Sequence, residues 1–209
     1  MYDRQTGSYW HQVSGEAIVG DLTGKALSLL PSVTASWEEW QGLYPQTRVL
    51  SRETGYRRDY SRDPFLGYAL LVDRGDFFFP VSEKGRDPRL SPAEVVLAVE
   101  VGDSRRAYPL KALGDAALND TLGGKRVVIL SRKEGPSGAA YVPEIEGREL
   151  TFEIRNGDLV DRETGSLWDL AGLALEGPLA GSRMEPLPTR TTFWFALVAS
   201  FPGIEVFDL

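Results

Sequence analysis

The strongest constraint on this chain is that part of it occurs twice. DRQTGSYW at 3–10 and DRETGSLW at 161–168 agree at six of eight positions, at a spacing of 158. One residue then drops out and the spacing becomes 157. At that spacing Gly15, Ala17, Gly20, Leu22, Gly24, Leu30, Pro31, Thr34, Trp37, Pro45 and Val49 match Gly172, Ala174, Gly177, Leu179, Gly181, Leu187, Pro188, Thr191, Trp194, Pro202 and Val206. Ordered identity of this kind marks a duplicated unit, and a duplicated unit specifies a duplicated piece of structure. Two copies are too few for a stacked array. The expectation is two similar lobes about a pseudo-twofold axis.

The copies are unequal. A preamble of roughly 94–160 precedes the second motif, whereas Met1 and Tyr2 alone precede the first. Residues 1–50 therefore read as a truncated first repeat, 51–92 as a docked connector and 93–209 as a complete second repeat, together one compact unit. A first lobe without its preamble should expose an apolar patch or an open strand edge, and self-association would cover it.

The preamble is β-rich in pattern. Val95–Val101 is apolar and β-branched, Arg105–Tyr108 continues after a turn, and KRVVIL at 125–130 has the character of a buried strand. Pro109–Leu113 predicts a short helix. Glu146-Gly147-Arg148 predicts one hairpin turn, and Asn156-Gly157 predicts another between Leu150–Ile154 and Leu159–Val160. Each tail should end in a helix. Ser36-Trp37-Glu38-Glu39 has capping-box spacing, with Trp37 and Trp40 on one face. Its counterpart is expected from Thr191 or Thr192 through Ser200, apolar nearly all round and so buried. Pro45 and Pro202 stop both. Duplicated packing would bury Trp10 with Trp168, and Trp37 with Trp194. The connector reads as irregular, its Phe77–Phe79 run packed against something. The fold class is thus β-rich α+β: two related lobes from an internal duplication, antiparallel strands with short helices.

Composition removes whole classes of chemistry. There is no cysteine, which excludes disulfides, thiolate nucleophiles and Cys-ligated metals, and His11 is the sole histidine. With one imidazole and scattered carboxylates lacking D-x-D-x-D-G spacing, no metal and no cofactor is expected. The net charge of −7 disfavours nucleic acid as a partner. No apolar stretch is long enough to span a bilayer. No signal peptide is visible in this chain, so the cytoplasm is the default compartment. GxGxxG, P-loop and GxSxG patterns are absent.

The DRxTGSxW segment reads first as a turn. Its Asp accepts backbone N–H bonds, Gly takes positive φ, Ser and Thr close the loop, and Trp enters the core. The functional reading is a polar cradle from Asp3, Arg4, Thr6 and Ser8 and from Asp161, Arg162, Thr164 and Ser166. There Arg with Ser and Thr would hold a carboxylate or phosphate. In the connector, Arg58, Asp59 and Arg62 read as a salt-bridged surface loop or as an anion site at the lobe junction.

These residues, with LP, a Trp-bearing helix, YPxTxVLSxxTG, RDYSRDPFxxY, FFFPV, AYPL and NDTLGG in the same order, make the chain resemble the uncharacterised DUF3179 family over nearly its whole length. The resemblance carries no established activity. It implies an upstream half with an AYP segment, a His-Glu pair before Asn-Asp, and a Cys-Pro-Leu-Cys stretch, which this chain lacks. Ala107-Tyr108-Pro109 and Asn119-Asp120 are present. Gly114-Asp115-Ala116 stands where His-Glu is implied, and Leu130-Ser131-Arg132 where the Cys stretch is. The expected function is a non-catalytic binding or structural protein, with a small polar or anionic ligand at the lobe junction. The alternative is an enzyme of unidentified class, a hydrolase using carboxylates and hydroxyls. Motif aspartates committed to backbone N–H groups favour the first; an aspartate with a strongly raised pKa in a pocket favours the second.

Overall fold

The computed structural model describes residues 1–78, 80, 81 and 86–208. Phe79 lies outside them. The protein is β-rich, 36% strand and 12% helix, in several antiparallel sheets with few short helices.

A three-stranded sheet opens the chain: β1 (Tyr2–Asp3), β2 (Ser8–Trp10) and β3 (Ala17–Val19), in that order. Helix α1 (Trp37–Leu43) follows, and the expected capping box is present: Glu39 N–H donates to Ser36 Oγ while Ser36 N–H donates to Glu39 Oε2. The connector contains an unforeseen helix, α2 (Tyr68–Asp73). Its Val72 is fully buried, and the Tyr68 ring stacks on Phe78 at 5.5 Å and meets Phe193 at 6.1 Å. Phe77 lies 5.0 Å from Phe195, so the connector is docked through its aromatics.

The second part is larger. Strands β4 (Val95–Val101) and β5 (Ser104–Pro109) form a hairpin that runs into α3 (Leu110–Leu113). Then come β6 (Ala116–Leu122), β7 (Lys125–Arg132) and β8 (Ser137–Val142), a meander. Two small hairpins follow: β9 (Glu144–Ile145) with β10 (Arg148–Glu149), and β11 (Phe152–Arg155) with β12 (Asp158–Asp161). At the second turn both Asn156 (φ 55°) and Gly157 (φ 92°) are left-handed, as a two-residue turn of this type requires. Strands β13 (Leu167–Trp168) and β14 (Ala174–Glu176) complete the order β11-β12-β13-β14. Finally β15 (Glu185–Pro186) joins β8, β16 (Thr189–Phe193) pairs with β4, α4 (Trp194–Ser200) follows, and β17 (Glu205–Val206) runs parallel to β5.

One element boundary differs from the pattern reading. Thr191 and Thr192 belong to β16, opposite Leu97 and Val96, and α4 begins at Trp194. Their β-branched side chains suit the ladder with β4, and helix starts only once that ladder ends. Asn119-Asp120 lies inside β6, in register with Val128 and Val127.

Three apolar clusters hold the fold. One joins Val128, Leu130, Ala139, Tyr141, Leu150 and Phe152 to Trp168, Ala174 and Met184. A second lies between β4–β5 and β6–β8, with Leu97, Val99, Tyr108, Val127 and Ile129. The third packs Trp194, Leu197 and Val198 of α4 on Val96, Ala98 and Ala107. Val33 and Ala35, from the segment before α1, pack against the first cluster, and Thr34 bridges Gly138 of β8.

Positions 157 apart also meet directly. Thr34 Oγ1 donates to Thr191 Oγ1 at 2.8 Å, and Ser32 Oγ lies 3.4 Å from Thr189 Oγ1. The expected common burial of the tryptophans does not hold. Trp168 and Trp194 are buried, Trp10 is half-buried and Trp37 is exposed. The strands that bury Trp194, β4 and β5, have no equivalent against Trp37 among the described residues.

Candidate functional site

The two motifs fold into the same local device. In the second, Asp161 sits at the end of β12, fully buried. Its carboxylate accepts from Thr164 N–H at 2.6 Å, Thr164 Oγ1 at 2.9 Å, Ser166 N–H at 3.1 Å and Trp168 Nε1 at 2.9 Å. Ser166 Oγ accepts from Leu179 N–H at 3.0 Å, tying the turn to the next loop. In the first motif, Asp3 accepts from Gln5 N–H at 2.9 Å and from the Thr6 hydroxyl, and Ser8 Oγ accepts from Leu22 N–H at 3.1 Å. The Thr6 hydroxyl and Gln5 amide hold the Asp3 carboxyl below its ordinary value. Gly20 and Gly177 pack against the serines: a Cβ on either would come within 2.5 Å of Ser8 Cα or 2.7 Å of Ser166 Cα. Asp, Thr and Ser thus bond one another and the nearby backbone.

The arginines of these motifs face outward. Arg4 is exposed, and Arg162 donates to Glu153 at 2.6 Å. In the connector, Asp59 accepts from Ser61 Oγ and Ser61 N–H in a local turn, which lowers its pKa. Arg58 lies over the Tyr56 ring at 5.9 Å, and Arg62 is exposed. Each motif therefore gathers its own Asp, Thr and Ser, and the connector residues sit in a loop of their own.

A different polar cluster joins β5, β6 and β17, which no local sequence motif links. Asp120 Oδ2 accepts from Arg106 Nη1 at 2.6 Å and from Tyr108 OH at 2.7 Å, and Asp120 Oδ1 accepts from Thr121 N–H at 2.7 Å. Arg106 also clasps Glu205 Oε2 through Nε and Nη2, at 3.1 and 2.9 Å. The alternation along β5 places Arg106 and Tyr108 on one side, facing β6. The Tyr-Pro and Asn-Asp pairs were a signal for it, but Glu205 lies 99 residues from Arg106 in the chain. Burial raises the Asp120 carboxyl, yet the bonds from Tyr108, Arg106 and Thr121 outweigh it and hold the group below the usual range. Burial and the Asp120 carboxylate both push the Tyr108 phenol up, so it stays protonated. Asn119 locks β6 to β11: its Nδ2 donates to Phe152 O at 2.7 Å and its Oδ1 accepts from Phe152 N–H at 2.9 Å.

Arg106 forms part of the wall of an open cavity of about 580 Å³, with Arg105, Gly123, Phe201 and Glu205 among the lining. Arg105 and Arg190 both lie over the Phe201 ring, and both pair with Glu100. Cations and anions here neutralise each other.

The segments that the resemblance aligns with His-Glu and with the Cys stretch are neighbours. Ser131 Oγ donates to Gly114 O at 2.7 Å, and Lys133 N–H donates to Asp115 Oδ1 at 3.0 Å. They carry no imidazole or thiol. Among the described residues, no three His, Cys, Asp or Glu side chains converge as a metal site. No helix among them is long and apolar enough to cross a membrane.

Fold and site together define a β-rich protein in which a repeated DRxTGSxW turn is clamped from within. Residues 1–203 match the family model described as "Protein of unknown function (DUF3179)", and the chain belongs to that family. No curated protein and no solved structure matches it.

Proposed function

We propose that the chain is a non-catalytic binding or structural protein made of two copies of one unit, packed about a pseudo-twofold axis. The observation that carries the non-catalytic reading is the Asp161 carboxylate. It is buried and accepts from two backbone amides, a hydroxyl and an indole, so its lone pairs are spent on holding a turn. Asp3 is held the same way by Gln5 and Thr6, with a lowered pKa rather than the raised one a general acid needs. The contacts of Ser32 with Thr189 and Thr34 with Thr191 support the twofold reading, because a twofold axis brings equivalent positions together where it passes.

The Asp, Thr and Ser of both motifs serve as clamps. This leaves the exposed Arg58 and Arg62 of the connector as the groups through which a small anion would be held. A thermal-shift screen with inorganic phosphate, sulfate and small carboxylates tests this. Stabilisation that disappears in Arg58→Ala/Arg62→Ala supports it; no response to any anion removes the anion from the reading. Hydrolysis of nitrophenyl esters or phosphates, abolished by Asp120→Asn with the circular dichroism unchanged, would overturn the non-catalytic reading itself.

A further inference from the structure

We propose that the cavity between α3 and the turn joining β7 to β8 binds a small organic monoanion with an apolar body, a carboxylate of the benzoate or phenylacetate kind. The cavity is open to solvent and holds about 590 Å³, within the range of small-ligand sites. Lys111 of α3, Arg132 at the end of β7 and Lys133 just after it supply its cationic wall. Lys111 and Arg132 stand on different elements, so the fold and not a local charge run brings these cations to one concavity. Neither Arg58 nor Arg62 lines it.

The balance of charge on the wall sets the charge of the ligand. Among the described residues, no ion pair or side-chain hydrogen bond engages Lys111 or Lys133, and Arg132 gives one guanidinium N–H to Gly157 O at 3.3 Å. Two carboxylates share the wall, Asp73 and Glu94. Asp73 Oδ1 accepts from Ala93 N–H at 2.9 Å. Three cations against two carboxylates leave one positive charge, which a monoanion neutralises. A second negative charge on the ligand would be repelled by Glu94.

The rest of the lining calls for an apolar body. Val95, Leu110 and Pro136 complete the cavity. Leu110 belongs to the second apolar cluster and Val95 packs against it, so the floor is an edge of the core. An attached ring or branched chain would cover that floor, which a bare inorganic anion would leave wet. The frame is also fixed in advance. Ser131 Oγ donates to Gly114 O at 2.7 Å and Lys133 N–H to Asp115 Oδ1 at 3.0 Å, fastening β7 and its turn to the end of α3. The backbones that carry the cations are thereby held together, and the two ammonium ends remain free to close on a carboxylate.

Isothermal titration calorimetry of the full chain with benzoate, phenylacetate and inorganic phosphate tests the proposal. The expected result is saturable binding of a carboxylate at millimolar concentration or below, tighter than that of phosphate. It should weaken at least about tenfold in Lys111→Ala/Lys133→Ala and survive in Lys111→Arg/Lys133→Arg, which keeps the charge. Both lysines are exposed, so the fold should be retained, as an unchanged melting temperature would show. Arg58→Ala/Arg62→Ala should bind as the wild type does. No binding of either carboxylate at millimolar concentration overturns the proposal, as does binding indifferent to Lys111→Ala/Lys133→Ala. Phosphate bound as tightly as the carboxylates overturns the assigned ligand class. Binding lost in Arg58→Ala/Arg62→Ala instead overturns this site while supporting the connector as the place of the anion, so the two readings fail separately.

Discussion

Replacing Asp161 by Asn should cost about 2–4 kcal/mol, whereas the same change at Asp3 should leave stability within error of wild type. The magnitude follows from the donors. One Asp161 oxygen receives the half-buried Thr164 amide and the other receives the Ser166 amide and the Trp168 indole, around a carboxylate that is itself fully buried. An asparagine has one oxygen. With that oxygen on the Ser166 and Trp168 side, its NH₂ faces the Thr164 N–H, and a buried donor left unpaired costs about 1–3 kcal/mol. The two bonds that survive lose their charge assistance and roughly half their strength. Asp3 is bonded similarly but solvated, so water replaces whatever the asparagine drops. Urea unfolding followed by tryptophan fluorescence is the assay. With a slope of about 2 kcal/mol/M, the midpoint of Asp161→Asn should fall by roughly 1–2 M. Equal midpoints for the two variants, or an unchanged midpoint for Asp161→Asn, would refute the clamp.

Other outcomes follow from the same geometry. Gly177→Ala should destabilise clearly more than Gly181→Ala. Both have φ near 90°, but at 177 the methyl meets Ser166 Cα at 2.7 Å while at 181 it meets nothing, a difference visible in thermal melts. Asp120→Asn should be less stable than wild type at neutral pH, and the gap should close in acid. The folded carboxyl titrates below its unfolded value, so its contribution is complete above about pH 5 and lost as pH falls through the folded pKa; a gap independent of pH would contradict this. Glu39→Ala removes the acceptor for both Ser36 N–H and Ser137 Oγ, undoing the side-chain half of the α1 capping box and its tie to β8 while Glu39 N–H keeps its bond to Ser36 Oγ. It should cost about 1–2 kcal/mol in urea titrations, and Glu39→Gln less.

Features carried by neighbours in sequence were legible before any coordinates. The Asn156-Gly157 turn needs two left-handed residues, and those are the two types that tolerate it. Ser36 and Glu39 cap α1 because three residues bring their side chains onto each other's amides. The Asp–Thr–Ser turn was legible for the same reason: its bonds span two to five residues. The chain's spacing of 157 and 158 also specified which residues to compare, though not which of them would be covered.

Tertiary structure decided what distant segments bring together. Arg106, Asp120 and Glu205 form one network across 99 residues, and no local pattern encodes a partner that far away. Strand β6 holds Asn119-Asp120 through ladder bonds to β7 and the Asn119 clasp on Phe152, 33 residues away. Helix α2 forms in a segment read as irregular because Val72 and Tyr68 find apolar neighbours. Trp194 and Trp37 stand at matching positions, yet one is buried and the other exposed. A side chain's apolarity is written in the sequence, but its burial depends on which surfaces come to lie against it, and it is strands β4 and β5, together with Arg89, that come to lie against Trp194.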